Sequence, residues 1–243
     1  MLALSALRLE IAGKTVIADA SATFARGEGT LLVGANGAGK TTLLRAIAGR
    51  LEIAGGSALE AGAPLDVRSG AWRRRRVLVE AGGGFLDDFS AAEQLRLRAT
   101  LLGLAGEEGE FRAAALEAAF GFGPYRDRRA SELSTGFKRR LALALAFMSD
   151  ARFMLLDEPL NGLDVEGAAA FIRLLRSFVA AGGTAVVASH IIEPLLPVAD
   201  AVMEIRDGRL VRYESAEAYA RCAAIDRDRS GREERDLPWL ARA

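Results

Sequence analysis

The stretch Gly34-Ala-Asn-Gly-Ala-Gly-Lys-Thr-Thr42 decides the fold. It matches G-x-x-x-x-G-K-[ST] at every fixed position. An apolar run, Thr30 to Val33, precedes it, and a segment with helical spacing follows, with Leu43, Leu44, Ile47 and Leu51 on one face. A strand that breaks into a glycine loop and restarts as a helix is a phosphate cradle. Gly34, Gly37 and Gly39 let backbone N–H groups turn toward phosphate oxygens, and the helix N-terminus adds partial positive charge. On this reading Gly34, Asn36, Gly37, Ala38, Gly39, Lys40, Thr41 and Thr42 bind a nucleoside triphosphate. Lys40 would reach the β- and γ-phosphates, and the Thr41 hydroxyl would hold Mg²⁺. The chain has three lysines, Lys14, Lys40 and Lys138, against an arginine-rich background, so a lysine at the motif position carries more weight than usual.

Outward from the loop, the chain alternates strands and helices. Residues 3–11 and 15–24 alternate polar with apolar as strands do, and 57–67 reads as an antiparallel piece. Arg73 to Arg76 reads as a solvated lead-in to a strand at Val77 to Val79, with a glycine-rich link, Ala81 to Gly84, behind it. From 86 to 147 the pattern is helical, and Ser90 with Glu93 forms a capping box. Apolar strands recur at Phe153 to Leu156 and Thr184 to Ala188, around an amphipathic helix from Glu166 to Ala180. A hairpin turns at Asp207-Gly208. This order predicts an α/β fold: a P-loop NTPase core with a mostly parallel sheet, an antiparallel β subdomain and an inserted α-helical subdomain. The expected division is 1–85 and 148–213 for the core, 86–147 for the helical part, and 214–243 for a charged, mobile tail.

Two acids end the strand Met154-Leu155-Leu156. Asp157 is placed to hold Mg²⁺ through its water shell, since Mg²⁺ dehydrates reluctantly. Glu158 points elsewhere, as successive residues at a strand end do, and can face the attacking water as a general base. The bland alternative is that both acids merely cap the next element. The upstream P-loop weighs against it.

With these residues in place, the chain resembles the ATP-binding subunits of ABC transporters. Their signature, L-S-G-G-Q, stands here as Leu133-Ser134-Thr135-Gly136-Phe137. The LLDEP…GLD stretch is Leu155 to Pro159 and Gly162 to Asp164, and the switch histidine is His190. The resemblance runs from residue 4 to 213, with the motifs in family order. It implies that Lys40, Thr41, Asp157, Glu158 and His190 hold one ATP with Mg²⁺. Lys40, Glu158 and His190 would be catalytic, with His190 sensing the γ-phosphate. Ser134 and Gly136 would complete the ATP site of a second ATP-binding subunit, in a homodimer or a heterodimer, with Asp164 at the seam. A separate transmembrane permease is the further partner, and the implied location is cytoplasmic, peripheral on the inner face of the membrane. The LSTGFKRR form resembles bacterial exporters of the ABC-2 type.

The chain departs from the family at three places. Thr135 and Phe137 replace Gly and Gln of the signature. Glu80 stands where the family has the Q-loop glutamine, and is expected to substitute as a Mg²⁺ or water ligand. No aromatic residue is evident near Ile11 to stack on adenine, which leaves Ile11 and Val16 for apolar contact.

Composition excludes other classes. Formal net charge is zero, against the basic excess of proteins that coat nucleic acid, so no nucleic-acid partner is expected. Cys222 is the only cysteine, which rules out a disulfide framework. The N-terminus lacks a basic leader, and no charge-free stretch of about 18 apolar residues is present, so no membrane span is expected. The rival reading, an ABC-type ATPase acting on ribosome or DNA, calls for tandem domains or long coiled coils, and neither is seen here.

Overall fold

The computed structural model describes residues 1–80, 83–104 and 106–230, with side chains to 223. The residues 81–82 of the glycine link, and 231–243 of the charged tail, lie outside the described residues.

The parallel sheet comes first in the argument because its strands read as unbroken apolar runs. Strand β3 (Gly29–Val33), β7 (Phe153–Asp157) and β8 (Thr184–Ala188) are buried at every position. Strand β3 pairs in parallel with β8 and with β9 (Ala201–Arg206); β8 pairs with β7, and β7 with β6 (Arg76–Val79). Strand β10 (Arg209–Tyr213) turns back antiparallel to β9. Beyond it lies an antiparallel wing of β1 (Leu2–Ile11), β2 (Lys14–Phe24), β4 (Gly55–Glu60) and β5 (Ala63–Pro64). The full order among the described residues is β5-β4-β1-β2-β10-β9-β3-β8-β7-β6.

Alternation along each parallel strand divides the apolar interior into two cores, one per face of the sheet. Leu31, Val33, Met154, Leu156, Ala185 and Val187 face one core with α5 (Thr135–Phe147) and α6 (Val165–Ala180). Leu32, Phe153, Leu155, Val186 and Ala188 face the other, against α1 (Lys40–Ile47) and the antiparallel wing. The helical insertion contains α3 (Ala91–Leu101) and α4 (Glu107–Phe120) ahead of α5. Its first helix carries the expected capping box: Ser90 Oγ accepts from Glu93 N–H, and Glu93 Oε2 accepts from Ser90 N–H at 2.7 Å.

Two elements differ from the sequence reading. Arg73 to Arg75 are not a strand lead-in but the last turn of a short helix, α2 (Gly70–Arg75). Ser69 caps it, and Trp72 is fully buried, its Nε1–H donating to Ile47 carbonyl at 2.7 Å. That burial fixes the helix, and three arginines at its C-terminal end suit the helix dipole. The terminal helix α7 (Ala216–Ser230) extends through the start of the charged run.

Candidate functional site

Four parallel strands, β3, β6, β7 and β8, bring their C-terminal ends to one edge, where ligands bind in open α/β sheets. Strand β3 runs into the glycine loop and then α1. Gly39 caps α1 with φ 110°, in the left-handed region that a side chain resists, and a Cβ there would come 2.9 Å from Val16 Cγ1. Thus Val16 abuts the loop, while Ile11 is largely exposed on the antiparallel wing. Asn36 and Gly37 form the exposed tip of the loop, and Lys40 and Thr42 are buried behind it. The Lys40 ammonium donates to the carbonyls of Gly34 at 2.8 Å and Ala35 at 3.2 Å, which holds its charge over the loop. No acidic residue lies in the first turn of α1 to cancel its positive end. The loop is therefore a cationic, N–H-rich concavity suited to phosphate.

The Thr41 hydroxyl, next in the chain, donates to Asp157 Oδ2 at 2.7 Å. A hydroxyl and a buried carboxylate at the mouth of a phosphate cradle are hard oxygen donors, and they fit Mg²⁺. Glu158 follows Asp157 with φ 47°, a left-handed conformation for a non-glycine residue, which costs of the order of 1–3 kcal/mol unless its surroundings impose it. The turn swings its carboxylate away from Asp157 toward the end of β8. There His190 Nδ1 lies 2.8 Å from Glu158 Oε2. The Ser189 hydroxyl shapes the turn that presents His190, donating to Ile191 carbonyl and accepting from Ile191 N–H, both at 3.0 Å.

Glu80 has partners that the sequence reading did not name. It sits at the end of β6, beside β7, and lines the same cavity as Asp157. Yet both of its carboxylate oxygens are held by guanidinium groups: Oε1 by Arg45 Nε at 2.6 Å and Oε2 by Arg50 Nη1 at 2.7 Å. Its carboxylate is ion-paired within the chain, and the expected role as a Mg²⁺ or water ligand would require it to leave these arginines.

The signature residues stand apart. Ser134 is exposed and caps α5, its Oγ accepting from Phe137 N–H at 3.3 Å. Gly136 lies against the stretch 162–164: a Cβ there would come 2.8 Å from Gly162 carbonyl. Among the described residues no hydrogen bond joins Ser134 or Gly136 to the glycine loop. Phe137 packs on Tyr125 and Phe122, which explains an aromatic at that position. Asp164 caps α6 through Gly167 N–H and pairs with Arg140. That pairing, with the cap second, holds the Asp164 carboxyl below the usual range.

The reading of the sequence missed two residues. Arg140, buried, also donates to Phe120 carbonyl at 2.6 Å and lies over the Phe137 ring. Arg139, buried, donates only to backbone carbonyls, of residues 80, 157, 158 and 159. The one available signal was an arginine doublet directly ahead of a run, 141–147, made only of leucine, alanine and phenylalanine.

The chain is similar to known proteins in sequence and in fold. A family profile described as ABC transporter matches residues 17–161. The "ABC transporter ATP-binding protein NatA" of Bacillus subtilis is 34% identical over 197 residues, covering 80% of each chain. The "Cytochrome c biogenesis ATP-binding export protein CcmA" of Cupriavidus necator is 34% identical over 194 residues, 80% of this chain and 85% of that one. Among solved structures, cbiO1 from Clostridium perfringens, described as part of the ABC transporter complex cbiONQ, superposes with a TM-score of 0.76. It shares 25% identity, and 93% of each chain is covered.

Proposed function

From the premise that this chain belongs to the ABC transporter ATP-binding family, we propose that it is the Mg²⁺-dependent ATPase subunit of an exporter. The observation that carries this reading is the meeting of three strand ends. Lys40 and Thr41 after β3, Asp157 and Glu158 at β7 and His190 after β8 converge, joined by the Thr41–Asp157 and Glu158–His190 contacts.

The glycine loop, with residues 34, 36–42, binds the triphosphate, and Lys40 leaves the loop carbonyls for phosphate oxygens. Thr41 and Asp157 would hold Mg²⁺, which supplies charge neutralisation at the phosphates. Glu158 takes the proton of the attacking water, a role that contributes roughly 10²–10⁴-fold. His190, held by Glu158, is placed to contact the γ-phosphate. Ser134 and Gly136, which make no hydrogen bond to this loop among the described residues, act on the nucleotide of a second ATP-binding subunit, so that ATP closes the dimer and hydrolysis reopens it. The helical part, 86–147, transmits that motion to a separate permease, and the chain sits on the inner face of the membrane. No helix among the described residues is long and apolar enough to cross a membrane. Export is the direction supported by the LSTGFKRR form; relatives named for export (CcmA) and for import (CbiO of Rhodobacter capsulatus) both occur.

Purified chain should hydrolyse ATP only with Mg²⁺ present, and Lys40→Ala should abolish turnover. With ATP, Glu158→Gln should elute as a dimer on size-exclusion chromatography. Wild-type turnover in Lys40→Ala would defeat the assignment.

A further inference from the structure

The guanidinium of Arg139 makes an unusual set of contacts. Nη1 donates to Glu80 carbonyl at 2.7 Å. Nη2 donates to the carbonyls of Asp157 at 2.7 Å and Glu158 at 2.8 Å, and Nε donates to Pro159 carbonyl at 3.2 Å. Four carbonyls from two neighbouring strand ends thus converge on one planar cation that is 6% exposed. A bare buried carbonyl would cost about 1–3 kcal/mol, so this fork satisfies groups that the sheet ladder leaves over. Burial pulls the Arg139 pKa down, and the nearby Asp157 and Glu158 charges pull it back up.

The Glu158 backbone explains what such a fork is for. Its φ of 47° persists only if both sides of the residue are held. The N–H donates to Ala188 carbonyl at 2.8 Å, which ties it to β8. The carbonyls of Asp157, Glu158 and Pro159, on that residue and on either side of it, are tied to Arg139. The Glu158 carboxylate is thereby aimed at His190. Arg139 lies on α5, whose first residues follow the Ser134 cap.

We propose that Arg139 is a positioning residue for hydrolysis: it holds the strained backbone of Glu158, and so the direction of its carboxylate, and it fastens the start of the signature helix to the catalytic strand end. This rests on the ATPase reading above. Arg139 touches no phosphate and no water in this role; it acts through the Glu158 main chain.

His190 is the only histidine in the chain, so its imidazole signal in a ¹H–¹⁵N spectrum reports directly on the Glu158 carboxylate. The test compares Arg139→Gln and Arg139→Lys with wild type in three readouts: steady-state kinetics, affinity for a fluorescent ATP analogue, and the His190 signal. In Arg139→Gln, kcat should fall about 10- to 100-fold, as expected for a misplaced reacting group. KM and analogue affinity should stay within about twofold, the pattern of an interaction that acts on the chemical step. The His190 signal should move, and Arg139→Lys should restore part of both the rate and the signal. If Arg139→Gln does not fold, Arg139→Lys carries the test: kcat should fall by less than the loss expected of Arg139→Gln and the His190 signal should move, with KM and analogue affinity within about twofold of wild type. An unchanged kcat, or an equal loss of kcat and analogue affinity, would overturn the proposal. So would a lowered Tm with the His190 signal at its wild-type position. If wild type itself hydrolyses no ATP, the ATPase reading fails on its own, and the His190 signal still decides whether Arg139 places Glu158.

Discussion

Strands β6 and β7 lie side by side in parallel register, Val79 opposite Leu156, and each is followed or ended by an acid that lines one cavity. The two acids have opposite surroundings. Glu80 carries an arginine on each carboxylate oxygen. Asp157, buried, accepts a hydrogen bond from the Thr41 hydroxyl and has no salt bridge among the described residues. An acid neutralised by its own fold has little to offer an incoming cation. Asp157, whose hydrogen-bond donor is the neutral Thr41 hydroxyl beside a phosphate cradle, keeps hard oxygen donors of the kind that fit a divalent cation. Residue type and place in the sheet are nearly the same at the two strand ends, so the difference comes from whether α1 and the segment after it deliver arginines.

The comparison is broken most sharply at β7. Glu158→Gln keeps shape and hydrogen bonding but removes the base, and single-turnover ATP hydrolysis should slow by roughly 10²–10⁴-fold. A smaller loss would mean that the acid at this strand end is no more than a partner for His190. Asp157→Asn is next. It keeps a hydrogen-bond acceptor for Thr41 but loses the charge, and should weaken Mg²⁺-dependent nucleotide binding by about 10- to 100-fold, the range for an outer-sphere ligand. Titration of Mg²⁺ against bound fluorescent nucleotide measures it. Equal binding with and without the charge would erase the distinction between the two acids.

Legibility in the sequence followed the range of the interactions. The glycine loop, the Ser90 capping box and the buried strands were readable because each is a local pattern, set by residues a few positions apart. The edge where Lys40, Asp157, Glu158 and His190 meet was readable because parallel strands bring their ends together. The ion pairs of Glu80 were not legible because its partners, Arg45 and Arg50, lie elsewhere in the chain. The helix α2 was missed because its arginines were weighed without Ser69 as a cap or Trp72 as an anchor. Arg139 was invisible for a deeper reason: its partners are backbone carbonyls, which every residue has and no residue type announces.

A third acid extends the comparison away from the site. Glu28 is buried beside Arg212, whose two terminal nitrogens lie 3.1 and 2.9 Å from its oxygens, and Thr30 donates a further bond at 2.8 Å. Burial opposes its charge, but the bonds from Arg212 and Thr30 outweigh burial and hold its pKa below the ordinary 4.5. A carboxylate with a depressed folded pKa contributes stability that is complete above the unfolded value, and that is lost as pH falls through the folded one. Glu28→Gln should therefore lower stability at pH 7 by the order of 1–2 kcal/mol, and the gap to wild type should close toward pH 3. Urea melts at the two pH values measure it. A gap that widens in acid would show that Glu28 is not ionised in the fold.

The smallest effect belongs to the acid at β6. Arg45 and Arg50 have side chains half exposed, so their bonds to Glu80 are screened and worth at most about 1 kcal/mol together with their geometry. Glu80→Gln should then change ATPase rate by less than about fivefold, and leave the Mg²⁺ concentration for half-maximal rate where it was. The double variant Arg45→Gln with Arg50→Gln makes the complementary change, since it uncovers the Glu80 charge beside Asp157. In that variant the Mg²⁺ requirement should change, because Glu80 then lines the cavity beside Asp157 without its arginines, and a further Glu80→Gln should reverse it. If Glu80→Gln alone shifts the Mg²⁺ requirement, Glu80 leaves its arginines when nucleotide binds, and the two strand ends act as one cation site.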